Sequence, residues 1–525
     1  MCAKKTLTPL EQVLAKGHKL PKTRREFISH GLVSGVSTVA MPSILTMIAR
    51  SNNAFAEELA CKTGSTFEAG LPYICIDVGG GCNIAGQNAI VSMTKGSKFQ
   101  EDAASRVKTD FIRLGITPEE APVGANYSTK VETKYGLHFH RASGILDGMR
   151  SVLEPAGAEL TVGEKEIPIS NCIDGLVFCT RTDDDSATNP INTVYQANLG
   201  GAKGQLVELV GTNTTLTGAR SAAVASQIDT KLRPTAIRSF DNARGLLSLG
   251  PKLSSNEYLN QSTEKIKAFM NRVAMMNTAK VDELKNKGSI GQLETVLKCS
   301  SQEARKLFEK FSSAELDPGT DITITNNFTN ESQGAVAKLV LDNIAGAGTI
   351  NLGGGDYHGG SAMGTHATDR RTGELIGRLI KTASEKSKNM VIHLYTDGGV
   401  AGDAGGLAEA VTIPGQGDVP KVRWTGDSGT RSAALMIVYK HENEDGSLVK
   451  ETDGKGERQV GGFVPAGGVD LSTTIGDSTQ NLWKAIMINY LALQGKNVEE
   501  EFSKSFKGEE LPNNWEELIR FKAIA

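Results

Sequence analysis

Thr349-Ile350-Asn351-Leu352-Gly353-Gly354-Gly355-Asp356-Tyr357-His358-Gly359-Gly360-Ser361 is an apolar run that breaks into glycines, then sets a carboxylate and an imidazole two residues apart. Before it, Val336, Leu339, Val340 and Ile344 recur at helical spacing; after it, Leu375, Ile376, Leu379, Ile380 and Ala383 do the same. The next apolar run, Met390 to Thr396, ends in Asp397-Gly398-Gly399. Helix, strand, glycine loop, helix, strand is the rhythm of βαβ units on a mostly parallel sheet.

Other runs fit the same pattern. Pro72 to Asp77 leads into Val78-Gly79-Gly80-Gly81, Gly175 to Cys179 leads into Thr180-Arg181-Thr182-Asp183-Asp184-Asp185-Ser186, and Ala433 to Tyr439 makes one more buried strand. Runs of this length without alternation suit strands covered on both faces. Ligands of such sheets bind beyond the carboxyl ends of the strands, so the strand ends are where chemistry is expected. Residues 256–316, with stripes at Ile266, Phe269, Met270, Val273 and at Ala304, Leu307, Phe308, Phe311, read as a helical insertion. Near the C-terminus, Asp477 or Ser478 caps a predicted helix that carries Leu482, Ile486, Tyr490 and Leu493 on one face.

The N-terminus has its own logic. Lysines 4, 5, 16, 19 and 22 precede Thr23-Arg24-Arg25-Glu26-Phe27-Ile28-Ser29, a mildly apolar stretch follows, and Ala54-Phe55-Ala56 offers a cleavage site. Paired arginines in this setting look like a twin-arginine export signal over residues 1–56, with residues 57–525 as one mature domain. The apolar stretch is too rich in glycine and serine for a stable membrane span. Its removal, with eight Lys/Arg and two acids, takes the formal charge from −3 to −9. An acidic mature chain without basic runs argues against nucleic acid or an anionic membrane as partner. Among 525 residues, 58 are glycine, above the usual ~7%, so many tight loops are expected. Six cysteines follow residue 56, at spacings that fit no zinc pattern, and both disulfides and buried thiols remain open.

Asp356 and His358 share a face if the chain between them is extended, so a carboxylate oxygen and an imidazole nitrogen can converge on one ion. Such donors suit Zn, Mn or Fe better than Ca or Mg; the other reading is a solvated turn. Asp77 and Asp397 each end a neighbouring apolar run and could join them, or could serve as ordinary turn and capping residues. Ser186 closes an acidic cluster that either caps a helix or lies at an anion-binding helix start. His138 and His140 are a further ligand pair or a loop pair bonded to backbone, and His366 could fold back over the site. His393 reads as a core histidine, and Arg370 and Arg371 as an oxyanion clamp or as solvated helix-start residues.

The leader, Gly136 to Gly148 (GLHFHRASGILDG), Asp183 to Tyr195 (DDDSATNPINTVY), Gly353 to Ile380 and Tyr395 to Val400 (YTDGGV) together resemble an uncharacterised family of twin-arginine-exported bacterial proteins. Its members are often labelled general secretion pathway proteins and are placed in the alkaline phosphatase and sulfatase superfamily. The resemblance covers most of the mature chain. It implies an alkaline phosphatase-like three-layer α/β sandwich with a mixed central sheet, a divalent metal (Zn, Mn, Ca or Mg) at the strand ends, and hydrolysis of phosphate or sulfate esters in the periplasm or outside the cell. The partners implied are the ester substrate and, during export, the twin-arginine translocase. Asp77 then matches the first-strand metal aspartate, Asp356 and His358 the later Asp/His pair, and Asp397 the aspartate of the Asp-His-Gly signature. Gly398 stands where that signature has histidine, and no Cys-x-Pro-x-Arg is present. The nucleophile is left with Ser186 as its candidate, and a non-catalytic exported binding or assembly protein on the same fold is the alternative.

Overall fold

The structure is a computed structural model that describes residues 70–92, 107–182, 192–212, 234–247, 317–396, 398–450 and 458–524. The expected leader, the helical insertion, Ser186, Asp397, Cys61 and Cys299 lie outside the described residues. Contacts divide the chain into one unit of Thr66–Ala243 with Pro318–Ala525 and another of Met1–Ser65 with Arg244–Asp317. Of the second unit only residues 244–247 and 317 are described, and there Arg244 Nε meets Asp317 Oδ1 at 2.8 Å.

In the first unit the apolar runs are strands. They are β1 (Tyr73–Asp77), β2 (Ile173–Cys179), β3 (Val207–Gly211), β4 (Thr235–Ala236), β5 (Ala345–Asn351) and β6 (Met390–Tyr395). After β6 come β7 (Val400–Gly402), β8 (Ala408–Ile413), β9 (Gly417–Val422), β10 (Trp424–Asp427), β11 (Ala433–Tyr439) and β12 (Gln459–Val460). Eight of these make one sheet in the order β12-β2-β11-β6-β1-β5-β3-β4. Every pairing is parallel except the two made by β11, which runs against both β6 and β2. The fold is therefore α/β with a mixed, mostly parallel sheet, as expected.

Two ribbons between β6 and β11, β7 with β10 and β8 with β9, were not anticipated. Ala408 to Ile413 does alternate in burial and the chain turns at residues 414–416, but its exposed face of Ala408, Ala410 and Thr412 opposes only Val411 and Ile413, too short an apolar pattern to stand out among loop residues.

Helices are α1 (Gly144–Leu153), α2 (Val194–Leu199), α3 (Glu331–Leu341), α4 (Ala362–Glu385), α5 (Thr479–Leu493) and α6 (Val498–Ser505). Each of the long ones starts where a side-chain oxygen can accept from the first turn: Ser143 for α1, Asn330 for α3, Ser361 for α4 and Ser478 for α5. On one sheet face Tyr73, Cys75, Phe178 and Met436 join a core with α2, α5 and α6; Tyr73 meets Tyr490 edge-on at 5.0 Å. On the other face α3 comes so close that a Cβ at Gly348 would lie 2.9 Å from both Val336 and Val340.

α1 and α4 touch backbone to backbone. A Cβ built on Gly148 would fall 2.0 Å from the carbonyl oxygen of Arg370, and one on Gly373 2.0 Å from that of Ile145. The atoms in the way are helix backbone rather than the ends of flexible side chains, so relief would require the helices to move apart. Gly373→Ala is expected to destabilise the protein by about 3 kcal/mol, the upper range for overpacking, in urea unfolding. Gly245→Ala, whose Cβ would meet nothing within 4 Å, should leave stability unchanged or slightly raised; an equal loss at both positions would refute the close-contact argument.

Candidate metal centre

Parallel pairing brings three strand ends abreast. Asp77 stands opposite Tyr395 on one side and Asn351 on the other, so the loops after β1, β5 and β6 leave the sheet together. They are then laced by backbone: Leu352 N donates to Asp77 O at 2.8 Å, Gly355 N to Gly79 O at 2.8 Å, Tyr357 N to Gly81 O at 2.9 Å and Cys82 N to Gly398 O at 3.3 Å. Thr396 Oγ1 donates to Gly80 O at 2.6 Å. Gly80 has φ of 87°, and a Cβ there would lie 2.7 Å from the amide nitrogen of Asp356, so only glycine allows this approach.

The laced loops carry Asp356 and His358 to the surface, and β10 brings Asp427 to meet them. Val400 pairs with Asp427, and Gly359 N donates to Thr425 O at 3.1 Å, which ties the glycine loop to β10. His358 Nδ1 lies 3.0 Å from Asp356 Oδ1 and 3.2 Å from Asp427 Oδ1. One donor atom from each of the three residues lies within 4.8 Å of the other two, and all three residues are exposed. Two donors about 2.1 Å from one ion, at 90–110°, are themselves about 3.0–3.4 Å apart. The two spacings from His358 Nδ1 fall in that range, and one nitrogen with two carboxylate oxygens suits Zn or Mn.

The structure thus brings Asp356 and His358 together and supplies Asp427, which the sequence reading missed. Asp427 ends a four-residue strand that is not a continuous apolar run, 69 residues beyond His358. Only the β7–β10 pairing reveals it. Asp77 is buried at the base of the same loops, its Oδ2 accepting from Asn351 Nδ2 at 3.0 Å and its Oδ1 from Gly79 N at 2.9 Å. It does not belong to the group of three. Burial pushes its carboxyl up to about 6, against the hydrogen bonds from Asn351, Gly79 and Tyr395 that favour the charged form.

The other histidines have structural partners. His140 Nε2 donates to Glu120 O at 3.0 Å while its Nδ1 accepts from Ala142 N at 3.2 Å, a neutral ring satisfied by backbone on both sides. His138 Nδ1 meets Tyr127 Oη at 2.7 Å. His366 lies on the buried side of α4 with Lys421 Nζ 2.9 Å from its Nδ1, and so does not fold over the cluster. His393 is fully buried in β6, with Nδ1 2.8 Å from Thr193 Oγ1. Arg370 is engaged by Asp147 at 3.1 Å and Glu374 at 3.4 Å, whereas Arg371 reaches Thr368 Oγ1 at 3.1 Å beside Gly354 and has no ion pair among the described residues. Cys75, Cys82, Cys172 and Cys179 are all buried free thiols. No helix among the described residues is long and apolar enough to cross a membrane.

Comparison of the chain with family models, with curated proteins and with solved structures finds no match. The site's chemistry therefore rests on its own geometry.

Proposed function

We propose that Asp356, His358 and Asp427 bind one divalent cation, zinc or manganese, and that the protein is an exported metal-dependent hydrolase of phosphate or sulfate esters on an alkaline phosphatase-like sandwich. The observation that carries this reading is the convergence of the three donor atoms within 4.8 Å at the carboxyl edge of a mostly parallel sheet.

A cation bound there would polarise an ester oxygen and offset the charge that develops on it. The chain's own contribution is to orient the substrate. Arg371, alongside the glycine loop, and Arg431, four residues past Asp427 with Nη1 donating to Ser428 Oγ at 2.7 Å, have no ion pair among the described residues. Arg371 is exposed and can contact anionic ester oxygens in a bidentate manner, whereas Arg431 is partly buried. Ser186 stays the proposed nucleophile. Asp77, which ends β1, and Asp397, two residues past Tyr395 in the sequence, are proposed to support the same edge.

The second reading, an exported binding or assembly protein of the same fold, draws support from Gly398. That residue pairs with Gly81 and accepts from Cys82 N through its carbonyl, so a backbone contact occupies the place of the expected histidine.

Zinc titration of the mature protein separates these ideas from a solvated turn. One bound equivalent is expected for the wild type, with affinity falling about 100-fold or more in Asp356→Ala, since loss of an outer-shell partner alone costs 10–100-fold. A wild type that binds no stoichiometric zinc or manganese overturns the metal centre. With metal bound, turnover of nitrophenyl phosphate, diester or sulfate supports the hydrolase, and silence across all three supports the binding protein.

A further inference from the structure

Between the two exposed donors of the glycine loop sits Tyr357, which points the opposite way. Its side chain is 1% exposed, and its hydroxyl donates to the carboxylate of Asp369 on α4. Asp369 is itself buried, and its Oδ2 accepts from Gln87 Nε2 at 2.8 Å and Asn88 Nδ2 at 2.9 Å, both on the segment that follows β1. Asn88 also accepts from Ser143 Oγ at 2.8 Å, at the cap of α1. One carboxylate therefore joins the glycine loop, the segment after β1 and, through Asn88, the start of α1.

Tyr357 also reaches the other half of the cluster. Its ring centroid is 5.3 Å from that of Trp424, the first residue of the strand that ends at Asp427. Trp424 Nε1 donates to Thr365 Oγ1 at 3.2 Å, so the indole is held by α4 as well. The buried Lys421, whose Nζ lies 2.9 Å from His366 Nδ1 on α4, stands three residues before Trp424 on the preceding strand. Asp356 and His358 flank Tyr357 in the chain, and Asp427 follows Trp424 by three residues. The exposed donors come from segments 69 residues apart, and the buried Tyr357–Trp424 contact joins those segments beneath the Gly359 N to Thr425 O bond.

We infer that Tyr357 is the positioning residue of the cluster, with Asp369 as its anchor: the hydrogen bond and ring contact hold Asp356, His358 and Asp427 at the spacing that one cation requires. This rests on the metal-binding reading above for its functional meaning, but the positioning of the loop is testable without metal. A buried hydroxyl bonded to a carboxylate orients a segment more sharply than ring packing alone, because the bond is directional and both partners are cut off from water.

Tyr357→Phe removes the hydroxyl and keeps the ring against Trp424. In the metal-free protein, hydrogen exchange at the amides of Gly355, Tyr357 and Gly359, which bond to the neighbouring loops, is expected to rise about 10-fold while exchange in α5 stays unchanged. Zinc affinity should fall about 10-fold with it, and the visible band of the cobalt-substituted protein should shift. Asp369→Asn keeps an acceptor for Gln87 and Asn88 and a donor for the tyrosine oxygen, and is expected to restore most of the protection that Asp369→Ala loses. Unchanged exchange at the three amides in Tyr357→Phe overturns the inference whether or not zinc binds. A wild type without zinc binding, but with loop exchange raised in Tyr357→Phe, overturns the metal centre and leaves the positioning role standing.

Discussion

Taking the protein from pH 7 to pH 4 is expected to remove several kcal/mol of stability, most of it through histidines buried without charge. Burial holds His140 down to about 4 and His393 down to about 3, and burial with the nearby Arg458 charge holds His138 down to about 4. Each folded value lies below the ordinary 6.5, so the unfolded chain takes up protons first as pH falls. The stabilisation these groups give is whole above about 6.5 and is lost progressively down to about 4. At roughly 1.4 kcal/mol per unit, His140 and His393 contribute on the order of 3–5 kcal/mol each as upper bounds.

The structural reason differs at each ring. Protonating His140 would aim a second N–H at the Ala142 amide, and His393 Nε2 has no hydrogen-bond partner to receive one. Asp77 works in the opposite direction: its carboxyl is raised above the unfolded value, so its contribution to stability grows as pH falls from about 6 towards 4. The net acid limb is therefore shallower than the histidines alone would make it. Urea midpoints measured from pH 7.5 to 4 check this, with His393→Phe expected to flatten the limb between pH 6 and 4. A wild-type midpoint that stays constant over that range would contradict the assignment of buried neutral histidines.

Asp427→Ala is expected to weaken zinc binding as severely as Asp356→Ala, by about 100-fold or more, because each contributes one carboxylate oxygen beside His358 Nδ1. Asp77→Asn should change that affinity only a few-fold. Its carboxylate is already taken by Asn351 and Gly79, and an amide can keep both contacts if Asn351 turns over. Calorimetric titration of the three variants separates the cases. Full affinity in Asp427→Ala with loss in Asp77→Asn would move the centre from the surface to the base of the loops.

Much of the architecture was legible in the chain because its signals are local. Continuous apolar runs marked β1, β2, β5, β6 and β11, and helical spacing marked α3, α4 and α5, the last with Asp477 or Ser478 as its expected cap, of which Ser478 caps it. The direction of β11 was not legible, since a strand buried on both faces has the same side-chain pattern whichever way it runs. β3 and β4 were missed at the sheet's edge, where the runs are short. Lys421 and Asp369 gave no sign of burial, because in isolation charged residues read as surface. Inside the fold each has polar neighbours from separate segments: Asp369 is bonded by Tyr357, Gln87 and Asn88, and Lys421 Nζ meets His366 Nδ1.

At the candidate centre the division is equally physical. The sequence by itself determined that Asp356 and His358 share a face at the end of a buried strand, and that glycines let neighbouring loops approach them, since spacing of two and glycine geometry act within a few residues. The third donor, and the buried tyrosine contact that spaces all three, depended on β7 pairing with β10 and on Trp424 meeting Tyr357. The first joins Val400 to Asp427 across 27 positions and the second spans 67, and no local periodicity encodes either: only the closing of the tertiary structure brought Asp427 to His358.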